Sequence, residues 1–224
     1  PTGVELAAEV TNMFRKIISP DARARCAVSL IEAAPRILGA FPEKVASAAE
    51  KRLQKLGVSV MTGVAVSGVT GKAVSFENRA TGEKQEIEAD VFVWTGGVRG
   101  NRVIAESGFS VDKKGRVPVD EFLRAAGEEQ VFVIGDGAAS HNPKFQTEPG
   151  LAHVAVKQGR LAAENILRML QGKPLRRYEP LRRVDAIIPL GGKHEYAVVF
   201  GIAFHGFFAW LVRRFVDLRY FLSI

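Results

Sequence analysis

Apolar residues recur every three or four positions between Gly3 and Ile18, at Val4, Leu6, Ala7, Val10, Met13, Phe14 and Ile17. That spacing predicts a helix. The period then changes. Cys26 to Ile31 is a strand-like run ending on Glu32, in which Cys26 is expected to be a buried, inert thiol. Pro42 to Leu56 returns to helical spacing, keeps lysines and glutamates on its polar side, and stops at Gly57. Val58 to Gln85 supplies several short strands with glycine turns such as Thr81-Gly82. Ala89 to Trp94 reads as a buried strand broken by Gly96-Gly97, and Phe109 to Val119 as a loop with a short strand. Val131 to Ile134 is another apolar strand, running straight into Gly135-Asp136-Gly137-Ala138. Leu151 to Leu170 is a strong helix, ended by Gly172 and Pro174. Strands alternating with helices predict an open, mostly parallel α/β sheet.

The last stretch has a different pattern. Ala197 to Val212 contains no acid, lysine or arginine, yet its sixteen residues fall short of a span, which needs about 20. Phe204, Phe207, Phe208, Leu211, Phe215, Leu218 and Leu222 follow at helical spacing, with Trp210, Arg213 and Arg214 among them. The pattern predicts an amphipathic helix lying in a membrane interface, its aromatics in lipid and its arginines at the headgroups.

Charge sharpens that picture. The net charge is +7, and the stretch from Lys173 to Ile224 carries +5 of it. A basic tail points to an anionic surface. A nucleic-acid partner is disfavoured, because Arg176, Arg177, Arg182 and Arg183 lack interleaved aromatics for base stacking. A single cysteine excludes an internal disulfide, a Cys-x-x-Cys pair and a cysteine-rich zinc site, and no other metal cluster is evident. The chain opens without Met inside a helical pattern, so upstream sequence is expected.

Three strand ends carry candidate chemistry. Asp136 sits where a parallel strand delivers a carboxylate to the ligand-binding edge of an α/β sheet. There it repels phosphate but accepts hydrogen bonds from ribose or ribityl hydroxyls, which suggests a nucleotide cofactor with flavin as the leading case. Gly3 fits the third glycine of Gly-x-Gly-x-x-Gly, where helix packs on strand and a pyrophosphate meets the helix N-terminus. Glu32 ends the next strand, where an acid takes the adenosine ribose, favouring NADH over NADPH. Nearby Arg36 acts against that preference. Gly96 and Gly97 form a third strand-to-glycine switch where a cofactor can approach the backbone.

The order Pro1-Thr2-Gly3-Val4-Glu5-Leu6-Ala7, Ile31-Glu32-Ala33, Val93-Trp94-Thr95-Gly96-Gly97-Val98 and Val133-Ile134-Gly135-Asp136 resembles the two-dinucleotide-domain flavoproteins. With the stretch Ala209 to Tyr220, it is similar to type II NADH dehydrogenase, the single-subunit NADH:quinone oxidoreductase. The resemblance implies a Rossmann-like NADH domain over 1–97, its first strand absent. The returning half of a discontinuous FAD domain follows over 98–172, and a basic membrane-association segment over 173–224. It implies FAD and NADH as cofactors, a quinone acceptor, a peripheral place on the cytoplasmic face of a membrane, and a possible homodimer through the C-terminal segment. Gly3 would sit at the NADH pyrophosphate, Glu5 near the nicotinamide–flavin contact, Glu32 at the adenosine ribose, and Gly96 and Gly97 beside NADH. Gly135 and Asp136 would hold the FAD ribityl chain.

Two departures stand out. The family's Ala-Gln-x-Ala-x-Gln stretch reads here Ala152-His153-Val154-Ala155-Val156-Lys157. His153 could pass a proton to a quinone, and Lys157 could stabilise charge on reduced flavin. The N-terminal FAD half is also absent, so the isolated chain is expected neither to hold FAD tightly nor to turn over. Other readings remain open: a sulfide:quinone or other FAD/NAD(P)H oxidoreductase, and a non-catalytic membrane-binding or dimerisation module.

Overall fold

A computed structural model describes residues 1–144, 146–182 and 185–222. Arg183 of the basic cluster and the side chain of Tyr220 lie outside the described residues. The chain forms two compact units, one of residues 1–96 with 184–224 and the other of residues 97–183.

In the first unit, α1 (Thr2–Ile17) and a short α2 (Pro20–Arg23) precede β1 (Val28–Glu32). Helix α3 (Glu43–Leu56) ends at Gly57, whose φ of 87° is open to glycine at no steric cost. It leads into β2 (Val58–Thr62), which pairs parallel with β1, from Val28 opposite Val58 to Glu32 opposite Thr62. The apolar stripes of α1 and α3 close over this pair: Ala8, Val45, Ala49 and Leu53 share one core with Val58. β3 (Val64–Thr70), β4 (Ala73–Asn78) and β5 (Lys84–Glu88) then form an antiparallel meander.

The second unit contains α4 (Arg102–Glu106), β6 (Val117–Val119), a 3-10 turn over Gly135–Gly137, β7 (Ala138–Asn142), β8 (Gln146–Thr147) and α5 (Ala152–Leu170). β6 and β7 are parallel, and β7 and β8 antiparallel. The chain then returns to the first unit as β9 (Ala186–Pro189), β10 (Glu195–Val199), β11 (Ile202–Gly206) and α6 (Phe207–Phe221). Ile188, Leu190, Tyr196 and Val198 from this return join the core around α1 and α3.

Four expectations need correction. The sheet is not one open, mostly parallel layer: the described residues form four small sheets, and among them only β1–β2 and β6–β7 are parallel pairs. Neither Ala89–Trp94 nor Val131–Ile134 forms a regular strand among the described residues. In the former Val91 is 78% and Trp94 65% exposed, and the latter has only a single bridge, Arg124 to Phe132. An apolar run becomes a strand only where a neighbour accepts its backbone hydrogen bonds. Cys26 is exposed, because β1 begins only at Val28.

The fourth correction concerns the C-terminal segment. The stretch from Ala197 is not helical until Phe207: it is the β10–β11 hairpin, with Val199 opposite Ile202. Its two-residue loop is Phe200-Gly201, with φ of 53° and 80°, the positive pair that suits strand twist in a tight hairpin. Phe204 therefore sits half-buried on β11 rather than on the helix.

Candidate functional site

The parallel register of β1 and β2 sets Glu32 beside Thr62 at the carboxyl ends of both strands. Glu32 Oε1 accepts from the Ala34 amide at 2.8 Å. The Gly63 amide donates to the Ala34 carbonyl at 2.8 Å, and the Arg79 amide to the Gly63 carbonyl at 2.9 Å. These bonds tie three chain turns into the walls of an open cleft of about 870 Å³ that includes Glu32, Ala33, Thr62, Gly63 and Arg79. The Arg36 guanidinium does not compete for this space. It donates to the Phe41 carbonyl at 3.0 Å from both terminal nitrogens and to the Gly39 carbonyl at 2.8 Å. Sequence reasoning found Glu32 but missed Thr62, Gly63 and Arg79. Gly63, directly after an apolar strand and with φ of 68°, was the available signal.

Gly3 lies in the first turn of α1, where space is tight. A Cβ there would stand 2.7 Å from Thr95 Oγ1 and 3.2 Å from Leu30 Cδ1. Glycine is therefore what lets the helix approach both β1 and the 89–95 segment, as close helix–strand packing at a dinucleotide turn requires. Glu5, two residues on, is half-buried, and burial raises its carboxyl above the ordinary range against the pull of the N-terminal amine and Arg213. Gly96 packs under the Trp94 ring, where a Cβ would fall 2.5 Å from a ring carbon. Gly97 has φ of 108°, a conformation other residues rarely adopt.

In the second unit the Asp136 carboxylate is exposed on the 3-10 turn. Gly135 reaches φ of 64°, and its amide donates to Gln158 Oε1 at 2.7 Å. Gln158, only 1% exposed, donates in turn to Ser140 Oγ at 3.0 Å. A Cβ on Gly150 would lie 2.8 Å from Asp136 Oδ1. So α5, β7 and the loop before α5 together fix where the carboxylate stands. Beside this lies a second buried network. Glu148 accepts from the Tyr178 hydroxyl at 3.0 Å, the Leu181 amide at 2.6 Å and Asn142 Nδ2 at 3.0 Å. Burial and the neighbouring Glu148 hold the Tyr178 phenol well above its ordinary range.

His153 and Lys157 are both exposed on α5. Lys157 Nζ is already engaged: it donates to the Glu179 carbonyl at 2.6 Å and lies 5.3 Å from the centre of the Tyr178 ring. Within the second unit the structure brings Gly135, Asp136, Ala155 and Gln158 together; in the first it brings Gly3 against Thr95 and gives Glu32 its own cleft. Among the described residues, no group of three His, Cys, Asp or Glu side chains could hold a metal ion.

Among the described side chains of helix α6 only Ala209 is fully buried, and Phe207, Phe208, Leu211, Phe215 and Phe221 are at least half exposed. Trp210 stacks on Phe207 at 5.4 Å, with Lys193 Nζ 5.5 Å and the Arg214 guanidinium 5.4 Å from its ring centre. Arg213 anchors the helix through Glu195 at 3.3 Å. Among the described residues, no helix is long and apolar enough to cross a membrane.

Residues 1–159 match the pyridine nucleotide-disulphide oxidoreductase family. The chain belongs to that family. Proteins that it resembles include the type II NADH:quinone oxidoreductases of Staphylococcus aureus strain NCTC 8325, 31% identical over 222 residues, and of Staphylococcus saprophyticus, 29% identical over 222 residues. In each case the alignment covers 97% of this chain and 54% of the relative, so the chain spans about half the length of the relatives it matches. The fold is similar to NDH2 from Plasmodium falciparum in complex with NADH, with a TM-score of 0.84 at 15% identity, covering 98% of this chain and 60% of that one. It is also similar to the sulfide:quinone oxidoreductase of Aquifex aeolicus, with a TM-score of 0.77 at 18% identity, covering 98% of this chain and 54% of that one.

Proposed function

We propose that the protein containing this chain is a membrane-peripheral flavoprotein that oxidises NADH and reduces a quinone. The observation that carries this reading is the likeness, along 97% of the chain, to relatives named type II NADH:quinone oxidoreductase. The donor set fits the cofactors. Glu32 offers a carboxylate suited to ribose hydroxyls, and the loss of Arg36 to its own loop removes a partner for a 2′-phosphate, favouring NADH. Asp136 offers an exposed carboxylate on a glycine turn, suited to the ribityl hydroxyls of FAD, with Gly150 leaving the room it occupies.

FAD, when bound, would supply the acceptor for hydride and the donor of two electrons. The chain's own residues bind and orient. Gly3 lets the N-terminus of α1 approach a pyrophosphate. Gly96 and Gly97 keep side chains out of the path of NADH. Glu5, raised by burial, is suited to hold a proton near the reacting ends. His153, exposed at the start of α5, is suited to deliver a proton to the acceptor. Lys157 would need to leave the Glu179 carbonyl before acting on a flavin.

On this reading residues 1–96 with the C-terminal return are the NADH-binding part, and residues 97–183 are part of the FAD domain. The exposed aromatics of α6, with Arg214 and Lys193 beside Trp210, support docking on an anionic membrane such as the cytoplasmic leaflet. Sedimentation with vesicles of anionic lipid tests that docking. Phe208→Ser with Phe215→Ser should release the protein, whereas unchanged sedimentation would contradict it. A change in oligomeric state in place of release would favour a dimer surface.

The function itself is tested with the protein containing this chain and a soluble quinone. NADH-dependent quinone reduction is expected, with none from sulfide. Sulfide oxidation without NADH oxidation would overturn the proposal. The reading as a sulfide oxidoreductase has less support from this chain, whose single cysteine, Cys26, lies before β1.

A further inference from the structure

The cleft beside Glu32 has walls of distinct chemistry. Ala33, Ala34, Pro35 and Ala80 make parts of it small and apolar, and among the described lining residues Glu32 and Arg79 are the charged ones. Such walls suit a flat ring. The wall that carries Arg79 is held firmly. Its amide donates to the Gly63 carbonyl at 2.9 Å, and Asn78 Oδ1 accepts from the amides of Ala80 at 2.9 Å and Thr81 at 3.2 Å. The Arg79 side chain is exposed, and no hydrogen bond or ion pair to a described residue engages its guanidinium. Arg36, by contrast, spends its guanidinium on the Phe41 and Gly39 carbonyls. Of these two arginines close to Glu32 in the fold, one is committed and the other is free at the cleft.

We propose that Arg79 is the side chain that recognises adenine in this cleft, laying its planar guanidinium against the purine while Glu32 accepts from the ribose hydroxyls. A guanidinium stacks well on an aromatic face, whereas the compact ammonium of lysine does so poorly. The carboxylate of Glu32 on the same cleft disfavours the other use of Arg79, as a ligand for a 2′-phosphate. This assignment rests on the proposal that the protein binds NADH. It goes beyond it by naming the residue that reads the base.

Calorimetric titration with ADP-ribose, its 2′-phosphorylated form and nicotinamide mononucleotide tests the assignment. The titrations use the protein containing this chain and its Arg79→Ala, Arg79→Lys and Glu32→Gln variants, with thermal midpoints confirming that each variant is folded. Arg79→Ala should weaken ADP-ribose by about tenfold, Arg79→Lys should recover little of it, and nicotinamide mononucleotide should be unaffected by either. Glu32→Gln should narrow the preference for ADP-ribose over the phosphorylated form. ADP-ribose binding unchanged in Arg79→Ala would overturn the adenine assignment alone. So would full rescue by lysine together with tighter binding of the phosphorylated ligand, which would make Arg79 a phosphate ligand. Absence of any ADP-ribose binding by the unsubstituted protein would overturn both this assignment and the NADH reading beneath it.

Discussion

Gln158 is the residue on which the presentation of Asp136 depends most. It is buried on α5, its carbonyl oxygen receives the Gly135 amide at 2.7 Å, and its amide nitrogen donates to Ser140 Oγ at 3.0 Å. Gln158→Leu keeps the volume and removes both bonds. The Gly135 amide then loses its acceptor in a part-buried turn, while the Ser140 hydroxyl can rotate toward another acceptor. One unsatisfied buried group costs about 1–3 kcal/mol, and the lost bond to a hydroxyl about 1 kcal/mol. The variant should therefore be destabilised by about 2–4 kcal/mol, more than Ser140→Ala, for which about 1 kcal/mol is expected. Urea unfolding followed by a probe in the second unit reads this as a lower midpoint with an unchanged slope. Amide exchange at Gly135 should quicken in the leucine variant, since its protection comes from the Gln158 oxygen. A loss below about 0.5 kcal/mol, or unchanged exchange at Gly135, would refute the reasoning that a buried amide holds the turn.

Other outcomes follow from the same contacts. Glu148→Ala strips three donors of their acceptor and should cost about 3–5 kcal/mol in chemical denaturation, whereas a cost below 1 kcal/mol would mean the network is redundant. Gly3→Ala should destabilise the first unit by about 1–3 kcal/mol, and Thr95→Ala in the same chain should restore part of it by removing the oxygen that a Cβ would meet at 2.7 Å; strictly additive losses would contradict the contact. Burial raises the Glu195 carboxyl above its ordinary value near 4.5 against the pull of Arg213, while Asp217 and Glu9 add to the rise. The folded state thus keeps a proton that the unfolded chain has released, so stability falls as pH climbs from about 4.5 through the raised value. Thermal midpoints across that window should slope less in Glu195→Gln, and an equal slope would remove Glu195 as the cause.

The elements most legible in the sequence were those whose signals are local. Helical spacing from Val4 to Ile17 and the stop at Gly57 correspond to α1 and to the end of α3 within a residue or two. Apolar runs were less reliable. Ala89–Trp94 reads as a buried strand because its residues are mostly apolar, but burial depends on a neighbour that the run itself does not specify. Ala197–Val212 reads as one apolar stretch because uncharged composition hides the Phe200-Gly201 turn; positive φ at a phenylalanine has no strong sequence signature. The candidate site divides along the same line. Glu32 and Asp136 end strand-like runs and are visible as motifs. Arg79 reaches the Glu32 cleft only through the meander's return to Gly63, and Gln158 reaches Gly135 across 23 positions. Arg36 is the converse case: adjacency suggested a role at the ribose, and the fold commits it to its own loop.

The central claim is that Glu32 receives the adenosine ribose of NADH in an enzyme that passes its electrons to a quinone. Steady-state oxidation of NADH against a soluble quinone, by the protein containing this chain and by its Glu32→Ala variant, tests it most directly. The account predicts quinone-dependent turnover, with the variant's KM for NADH raised about tenfold, the loss of a hydrogen bond to a charged group, and kcat nearly unchanged. Turnover indifferent to Glu32, or no NADH oxidation with any quinone, would contradict it.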